Sequence, residues 1–521
     1  MAEEKKRKFL IHGGILAMAG IIVRIIGMLY RIPLVNIIGS DGNGVYSTAY
    51  NVYNIALVLS SYGLPMAVSK LVSAKFVTRR YKSAAKIFRC SLVIALCAGG
   101  TASLILFFGA DTIERVFYAG VPGVAIPLRI LAPTVFFVAV MGVMRGFYQG
   151  QGTTIPTAVS QLIEQVVNAV VSILAGYLLV NAYKETQKVA AYGAAGGTLG
   201  TAAGAFMGLM FLVILYVIYR PTFMKMVRHD KASRSVESKR VYHTIIVTMI
   251  PIIVGQTFYQ ISAVIDDIMF NNLMVGKEIS KNIANDLGNF SSSYSLLIGV
   301  PQGIASALSA AMLPSIVASF VKNDIDGVNG KLKDTLKTNM FVAIPSFIGL
   351  AVLGQNIIQL LFPRYDCVQG GIMLKIGAVA VVFYTLSTVT SSALQGIDRM
   401  NMPVKHSFIS LVVHVILVYI LLKFTGLGIY AVVIGNASFP VLIFVLNIIK
   451  LHQYTGFRPE YKKTFIIPLA CSIIMGIAVY VVYTLMHMIT GSNIISLIFA
   501  FIAAGISYFA PIIFLRKKRI Y

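Results

Sequence analysis

The chain has 521 residues, 57% of them hydrophobic and 12% charged, with a mean hydropathy of +0.81. A soluble protein of this size carries about 25% charged residues, and at roughly 20 apolar residues per crossing this chain would cross a membrane more than ten times, leaving no room for a soluble catalytic domain of ordinary size. The formal charge of +25, from 44 Lys and Arg against 19 Asp and Glu, is that of a multi-pass protein with basic cytoplasmic loops and does not call for nucleic acid.

Lys5, Lys6, Arg7 and Lys8 precede an apolar run and resemble a secretory leader, yet the run continues past Arg24 and Arg31 with no small-residue cleavage pattern. It is read as the first, uncleaved span. Apolar runs bounded by charge, Gly and Asn clusters then predict spans at 9 to 38, 45 to 72, 87 to 109, 124 to 149, 156 to 181, 189 to 219, 242 to 275, 287 to 319, 338 to 362, 371 to 396, 403 to 424, 427 to 450, 464 to 487 and 493 to 515. The expectation is an all-α polytopic membrane protein of fourteen transmembrane helices. Residues 1–220 form an N-lobe of six helices, 221–241 a basic cytoplasmic linker, 242–451 a C-lobe of six helices, and 452–521 the last two helices with a basic tail.

With the N-terminus inside, the segments expected in the cytoplasm hold 31 Lys and Arg, Arg145 among them, and the opposite loops hold seven. Such an asymmetry collapses if one span is missed or invented, so both termini are expected in the cytoplasm. The six remaining cations, Arg24, Arg31, Lys70, Arg89, Arg129 and Lys375, fall inside or at the edge of expected spans.

Three features recur at nearly one offset: Leu64-Pro65 with Leu313-Pro314, Gln149-Gly150 with Gln395-Gly396, and Pro156 with Pro403. Six is an even number of spans, so two such halves run in the same direction. That is the parallel-repeat architecture of secondary transporters, with two pseudo-symmetric six-helix lobes around a central cavity and two C-terminal helices appended.

In the first span Gly20, Arg24, Gly27 and Arg31 lie at i, i+4, i+7 and i+11 and share one helical face, with the arginines about 10 Å apart along the axis. An Arg in hydrocarbon costs several kcal/mol unless it faces water or an anion. The stripe is therefore expected to line a cavity, though Arg31 could instead mark the outer interface and snorkel. The seventh span carries Asp266 and Asp267 in the corresponding place, either as a cation or proton site or as a structural partner of Lys375 or an arginine. Gln161, Glu164, Gln165 and Asn168 share a face of the fifth span, where Glu164 serves as a protonation site or pairs with Arg24.

Gly196, Gly200, Gly204 and Gly208 form a four-residue ladder suited to close helix packing. His406 and His414 are too far apart to suggest a metal site and fit packing or pore lining. The four cysteines form no CxxC pair, so neither a zinc site nor a disulfide framework is indicated. No segment fits GxxxxGK[ST], since Gly327-Val328-Asn329-Gly330-Lys331 has the wrong spacing; ATP-driven transport by this chain is not expected.

The stretches Gly27-Met28-Leu29-Tyr30-Arg31-Ile32-Pro33-Leu34, Ile38-Gly39-Ser40-Asp41-Gly42-Asn43-Gly44-Val45-Tyr46 and Gly63-Leu64-Pro65-Met66-Ala67-Val68-Ser69-Lys70 closely resemble the N-terminal signature of the stage V sporulation protein B and MurJ-like group. Arg145-Gly146-Phe147-Tyr148-Gln149-Gly150, Pro156-Thr157-Ala158-Val159-Ser160-Gln161 and Ile163-Glu164-Gln165 are similar to the same group, which belongs to the multidrug/oligosaccharidyl-lipid/polysaccharide (MOP) exporter superfamily. The resemblance implies a flippase, not an enzyme, that moves undecaprenyl-diphosphate-linked glycan precursors, lipid II foremost, from the inner to the outer leaflet by alternating access. It places Arg24 and Arg31 where first-helix arginines bind the diphosphate, Asp41 where an acid follows the first loop, and the last two helices where a groove takes the lipid tail. Where better-known members carry further cavity arginines, this chain has Ser60-Ser61 and Ser291-Ser292-Ser293.

The expected protein is thus a monomer of the bacterial plasma membrane. Its partners are a lipid-linked oligosaccharide, membrane lipids and cell-wall synthesis enzymes, with no nucleic acid. It needs no cofactor, and Na⁺, H⁺ or the membrane potential resets its cycle. Two other readings compete: a drug/cation antiporter of the same superfamily, and a non-transporting scaffold in cell-wall or spore-cortex assembly.

Overall fold

The computed structural model describes residues 2–230, 237–277 and 282–517. The helices are α1 (Ala2–Ser60), α2 (Leu64–Val77), α3 (Tyr81–Phe117), α4 (Ala125–Gly150), α5 (Ile155–Tyr183), α6 (Val189–Arg228), α7 (Ser238–Met274), α8 (Ile283–Asn289), α9 (Leu297–Val321), α10 (Ile325–Leu361), α11 (Cys367–Gly377), α12 (Ala380–Gly396), α13 (Asn401–Phe424), α14 (Ile429–Thr455), α15 (Ile467–Thr490) and α16 (Asn493–Lys517). Two π-helical turns, Phe290–Leu296 and Lys462–Ile466, lead into α9 and α15. No strand occurs among the described residues, and the chain is an all-α polytopic membrane protein. A backbone that cannot bond to water must satisfy its own N–H and C=O groups, which a helix does within one segment.

Among the described residues ten helices are long and apolar enough to cross a membrane, or eleven when α11 and α12, bent by 47°, count as one span. The stretch Ile22–Val77 counts once there, although it holds the first two expected spans. Gly39 divides them (φ 72°, ψ 177°), a conformation essentially restricted to glycine, and a second break separates Ser60 from Leu64. Large apolar side chains such as Leu104, Ile105 and Phe108 on α3 and Ile477 on α15 are exposed, as a surface facing lipid tails allows.

The helices gather into two units, Met1–Asn272 with Ile283–Asn285, and Leu273–Asn282 with Asp286–Tyr521. In the first, a buried cluster joins Leu64, Val68 and Val72 of α2 to Phe88 of α3, Phe147 of α4, Leu212 and Phe223 of α6, and Val241, Ile245 and Met249 of α7. α7 is therefore packed into the first unit through Asn272. In the second, α15 and α16 pack on α10 through Leu353, Met475, Val479, Leu497 and Tyr508. The Tyr508 hydroxyl donates to the Phe341 carbonyl (2.8 Å), and Asn356, Tyr483 and Asn493 bond in a ring.

The repeated motifs occupy equivalent places inside each unit. Gly150 ends α4 against Val72 of α2, and Gly396 ends α12 against Ile316 and Leu313 of α9. Pro156 and Pro403 sit in the first turns of α5 and α13. The turns recur as well: Gly152 and Asp398 both take positive φ (87° and 59°) after those helix ends, as Arg79 and Asn323 do (54° and 57°) after α2 and α9. A shared motif of a tight helix end on a small residue thus fixes the same corner twice.

Candidate functional site

The site is built on the first unit, from the face of α5 that the glycine ladder of α6 holds in place. A Cβ at Gly196 would lie 2.5 Å from the Gly176 backbone, and one at Gly200 would lie 2.6 Å from the Asn168 carbonyl oxygen. At Gly204 the Glu164 carbonyl occupies the same space. Only glycine admits this approach, and it locks the register of Ser160, Glu164, Asn168 and Ser172. The Ser172 hydroxyl bonds both the Gly197 carbonyl and Asn168 Oδ1, each at 2.9 Å.

α4 and α1 then pack on that face. Arg145 donates from Nη2 to Glu164 Oε2 (2.7 Å) and from Nε to Ser160 Oγ (2.9 Å), with side chains 14% and 30% exposed. Arg145, expected with the cytoplasmic cations, lies inside α4, and the charge asymmetry of 30 to 7 without it remains. Glu164 therefore has a fixed cationic partner that the sequence reading did not consider. On α1, a Cβ at Gly27 would lie 3.2 Å from Gln165 Nε2, so Gln165 packs against that glycine, whereas nothing lies within 4 Å of a Cβ at Gly20. Asn168 donates to the Tyr30 hydroxyl (3.2 Å).

Arg31 follows Gly27 by one turn and is half-buried, its guanidinium 5.5 Å from the centroid of the Tyr46 ring. Tyr46 is backed by α6, since a Cβ at Gly197 would lie 3.0 Å from that ring, and it stacks on Tyr50 (5.6 Å). A cation is attracted to an aromatic face, and the planar guanidinium fork suits phosphate oxygens. Arg24 is exposed on the same helix.

Asp266 and Asp267 are buried near the end of α7. Asn51 of α1 donates to Asp267 Oδ2 (2.8 Å). One turn on, Asn271 accepts from the Gly120 N–H (2.8 Å) and donates to the Phe117 carbonyl (2.9 Å). These bonds tie the acidic end of α7 to α1 and to the α3–α4 connection. Ser60 and Ser61 are buried at the end of α1, their hydroxyls 2.9 Å apart. Gln161 is half-buried on α5, while Asp41 and Lys70 are exposed.

In the second unit Lys375 is exposed on α11. Ser291, Ser292 and Ser293 fall in the π-helical turn, where Ser293 Oγ donates to Asn289 Oδ1 (2.5 Å). His406 bonds Asn447 (2.7 Å) and His414 bonds the Gly435 carbonyl (2.9 Å), and both are buried. Among the described residues no cluster of His, Cys, Asp and Glu could hold a metal ion.

Sequence reasoning thus missed Arg145, Ser160, Tyr30, Tyr46 and Asn51 as members of this constellation. Arg145 carried a usable signal, since it precedes by four residues the Gln149 that ends the apolar run.

A family model described as "Polysaccharide biosynthesis protein" matches residues 10–320. The lipid II flippase MurJ of Bacillus subtilis (strain 168) is 26% identical over 487 residues, covering 90% of this chain and 87% of that protein. Stage V sporulation protein B of the same organism is 30% identical over 243 residues, 43% of each protein. A solved structure of lipid II flippase MurJ in an inward closed conformation superposes with a TM-score of 0.63 at 17% identity, covering 95% of this chain and 99% of that one. An inward-facing multidrug resistance MATE family transporter of the MOP superfamily gives 0.67 at 16% identity, covering 84% and 98%. At such identities the two structures speak to the fold alone.

Proposed function

This chain belongs to the polysaccharide biosynthesis protein family, and on that premise we propose that it is a flippase carrying an undecaprenyl-diphosphate-linked glycan precursor, lipid II or a close relative, from the inner to the outer leaflet by alternating access. Arg24 and Arg31 hold the diphosphate in this reading. The observation that supports it is the setting of Arg31: half-buried, laid over Tyr46, beside a face of α5 whose polar groups are held in register by a glycine ladder.

The electrostatics favour the direction. Each negative charge moved outward gains about 2.3 kcal/mol per 100 mV of inside-negative potential, and a diphosphate carries about two. Asp266 and Asp267 are the residues we assign to coupling by Na⁺ or H⁺ where the potential alone does not reset the cycle, since Asp267 is buried and its Asn51 bond links α7 to the part of α1 that follows the Gly39 break. Both termini lie in the cytoplasm in this reading, which the 30 to 7 distribution of cations left when Arg145 is set aside supports, and the protein works as a monomer with the lipid-linked substrate and membrane lipids as its partners.

The test is flipping of a fluorescent lipid-linked diphosphate in proteoliposomes. Arg24→Ala with Arg31→Ala should lower the rate at least tenfold with membrane insertion and helix content unchanged. Undiminished flipping would reject the arginine clamp. Transport of a cationic drug by the same vesicles, insensitive to both arginines, would favour the antiporter reading.

A further inference from the structure

The basic end of the first unit holds a cleft that none of the residues above uses. It is a shallow, open cleft of about 590 Å³ between the α2–α3 turn and the end of α6, and its walls include Arg79, Arg80, Tyr81, Lys225, His229 and Asp230. Three permanent cations face one carboxylate. That carboxylate is engaged, for Asp230 is buried and its Oδ2 accepts the Lys82 backbone N–H (2.8 Å). It thereby caps the first turn of α3, whose own N-cap residue, Arg80, makes no side-chain cap. Arg79 and Arg80 remain exposed. One wall is apolar, formed by Met226 and by Tyr81, whose ring is fixed edge-on against Phe76 (5.3 Å).

The backbone supplies a second, independent observation. α2 ends in a Schellman-type turn, with Arg79 N–H bonded to the Phe76 carbonyl and Arg80 N–H to the Lys75 carbonyl (3.1 and 2.9 Å). The left-handed position of that turn normally takes glycine or asparagine, yet here it is Arg79, at φ 54°. The equivalent turn of the second unit has the same bonds, Asn323 to Phe320 and Asp324 to Ser319 (2.9 and 3.0 Å). There the residues are an asparagine suited to φ 57° and an aspartate that caps its own helix through the Gly327 N–H. One turn geometry thus accepts an Asn-Asp pair in one half and an Arg-Arg pair in the other, with Arg79 in the disfavoured left-handed position. The turn does not require the arginines, and a disfavoured conformation that persists points to a role for the side chain.

We propose that this cleft binds the phosphate of an anionic membrane-lipid headgroup, gripped by Arg79, Arg80 and Lys225 with the glycerol portion against Tyr81 and Met226. Guanidinium pairs recognise phosphate by bidentate bonding, and basic pockets between membrane helices are where such headgroups bind. A soluble phosphate compound shares this chemistry, and the experiment separates the two sources. The site is independent of the arginines of α1 and stands or falls without the flippase reading.

The test is native mass spectrometry of the purified full-length chain in detergent micelles with phosphatidylglycerol, phosphatidylcholine or inorganic pyrophosphate. Arg79→Gly removes a charge at a position glycine prefers, and Arg80→Gln and Lys225→Gln complete the set. Phosphatidylglycerol binding should fall about fivefold for each cation removed, phosphatidylcholine should bind weakly throughout, and Lys322→Gln at the equivalent turn should change nothing. Loss of pyrophosphate binding in the same variants, with phosphatidylglycerol never bound, would assign the phosphate site to a soluble ligand and overturn the lipid assignment. Equal phosphatidylglycerol binding by the triple variant, or equal binding of phosphatidylcholine, would overturn the site. Should the triple variant fail to fold, Arg79→Gly alone must bind phosphatidylglycerol with a shallower dependence on NaCl than the parent, and an unchanged dependence would count against the proposal.

Discussion

Replacing Glu164 by alanine tests whether the Arg145–Glu164 pair organises the polar face of α5. The substitution leaves the Arg145 guanidinium, 14% exposed, with Ser160 as the partner that remains of the two it bonds through Nε and Nη2. Breaking a buried ion pair from one side costs about 3–5 kcal/mol. Because Glu164 is 30% exposed, part of that is screened, and the expected loss is about 2–3 kcal/mol, or roughly 30- to 150-fold in the folding equilibrium. Glu164→Gln keeps an acceptor oxygen and should lose about half as much, whereas Arg145→Met with Glu164→Leu removes both charges and should return to within about 1 kcal/mol of the parent. The chain contains no Trp, so unfolding in mixed micelles is followed by circular dichroism. A loss below about 0.5 kcal/mol for Glu164→Ala, or a double variant that merely adds the two single losses, would refute the reasoning.

Gly39→Ala meets no steric contact, since nothing lies within 4 Å of its Cβ, so its cost of about 1–3 kcal/mol is the backbone conformation alone and is read by the same unfolding assay. Gly200→Ala drives a methyl group against Asn168 and Ser172; about 1–3 kcal/mol of overpacking is expected, together with reduced flipping as the α5 face shifts. Asn447→Ala removes bonds to His406, Thr390 and Ser391 and, at about 0.6 kcal/mol for each membrane hydrogen bond, should lower stability by about 2 kcal/mol without altering substrate binding. Arg31→Lys keeps the charge and loses the fork, so lipid-diphosphate affinity measured in nanodiscs should drop severalfold while Arg31→Ala abolishes it.

Much of this protein was readable along the chain. The all-helical membrane class, the glycine ladder as a packing device and the repeated helix ends at Gly150 and Gly396 depend on hydropathy, period and small residues, which act locally. Hydrocarbon leaves a backbone few options, so composition by itself goes far. The arginine stripe of α1 could likewise be recognised as one helical face from spacing alone.

The partners could not. Arg145 meets Glu164 across 19 residues and Asn51 meets Asp267 across 216, and nothing in either segment names the other. Gln165 lies against Gly27, α7 packs into the first unit, and the serines before α9 wind into a π-helical turn. Each follows from which helices touch and at what height. Helix–helix register in a bilayer is set by small residues and polar bonds between remote elements, so it exists only once the bundle is assembled.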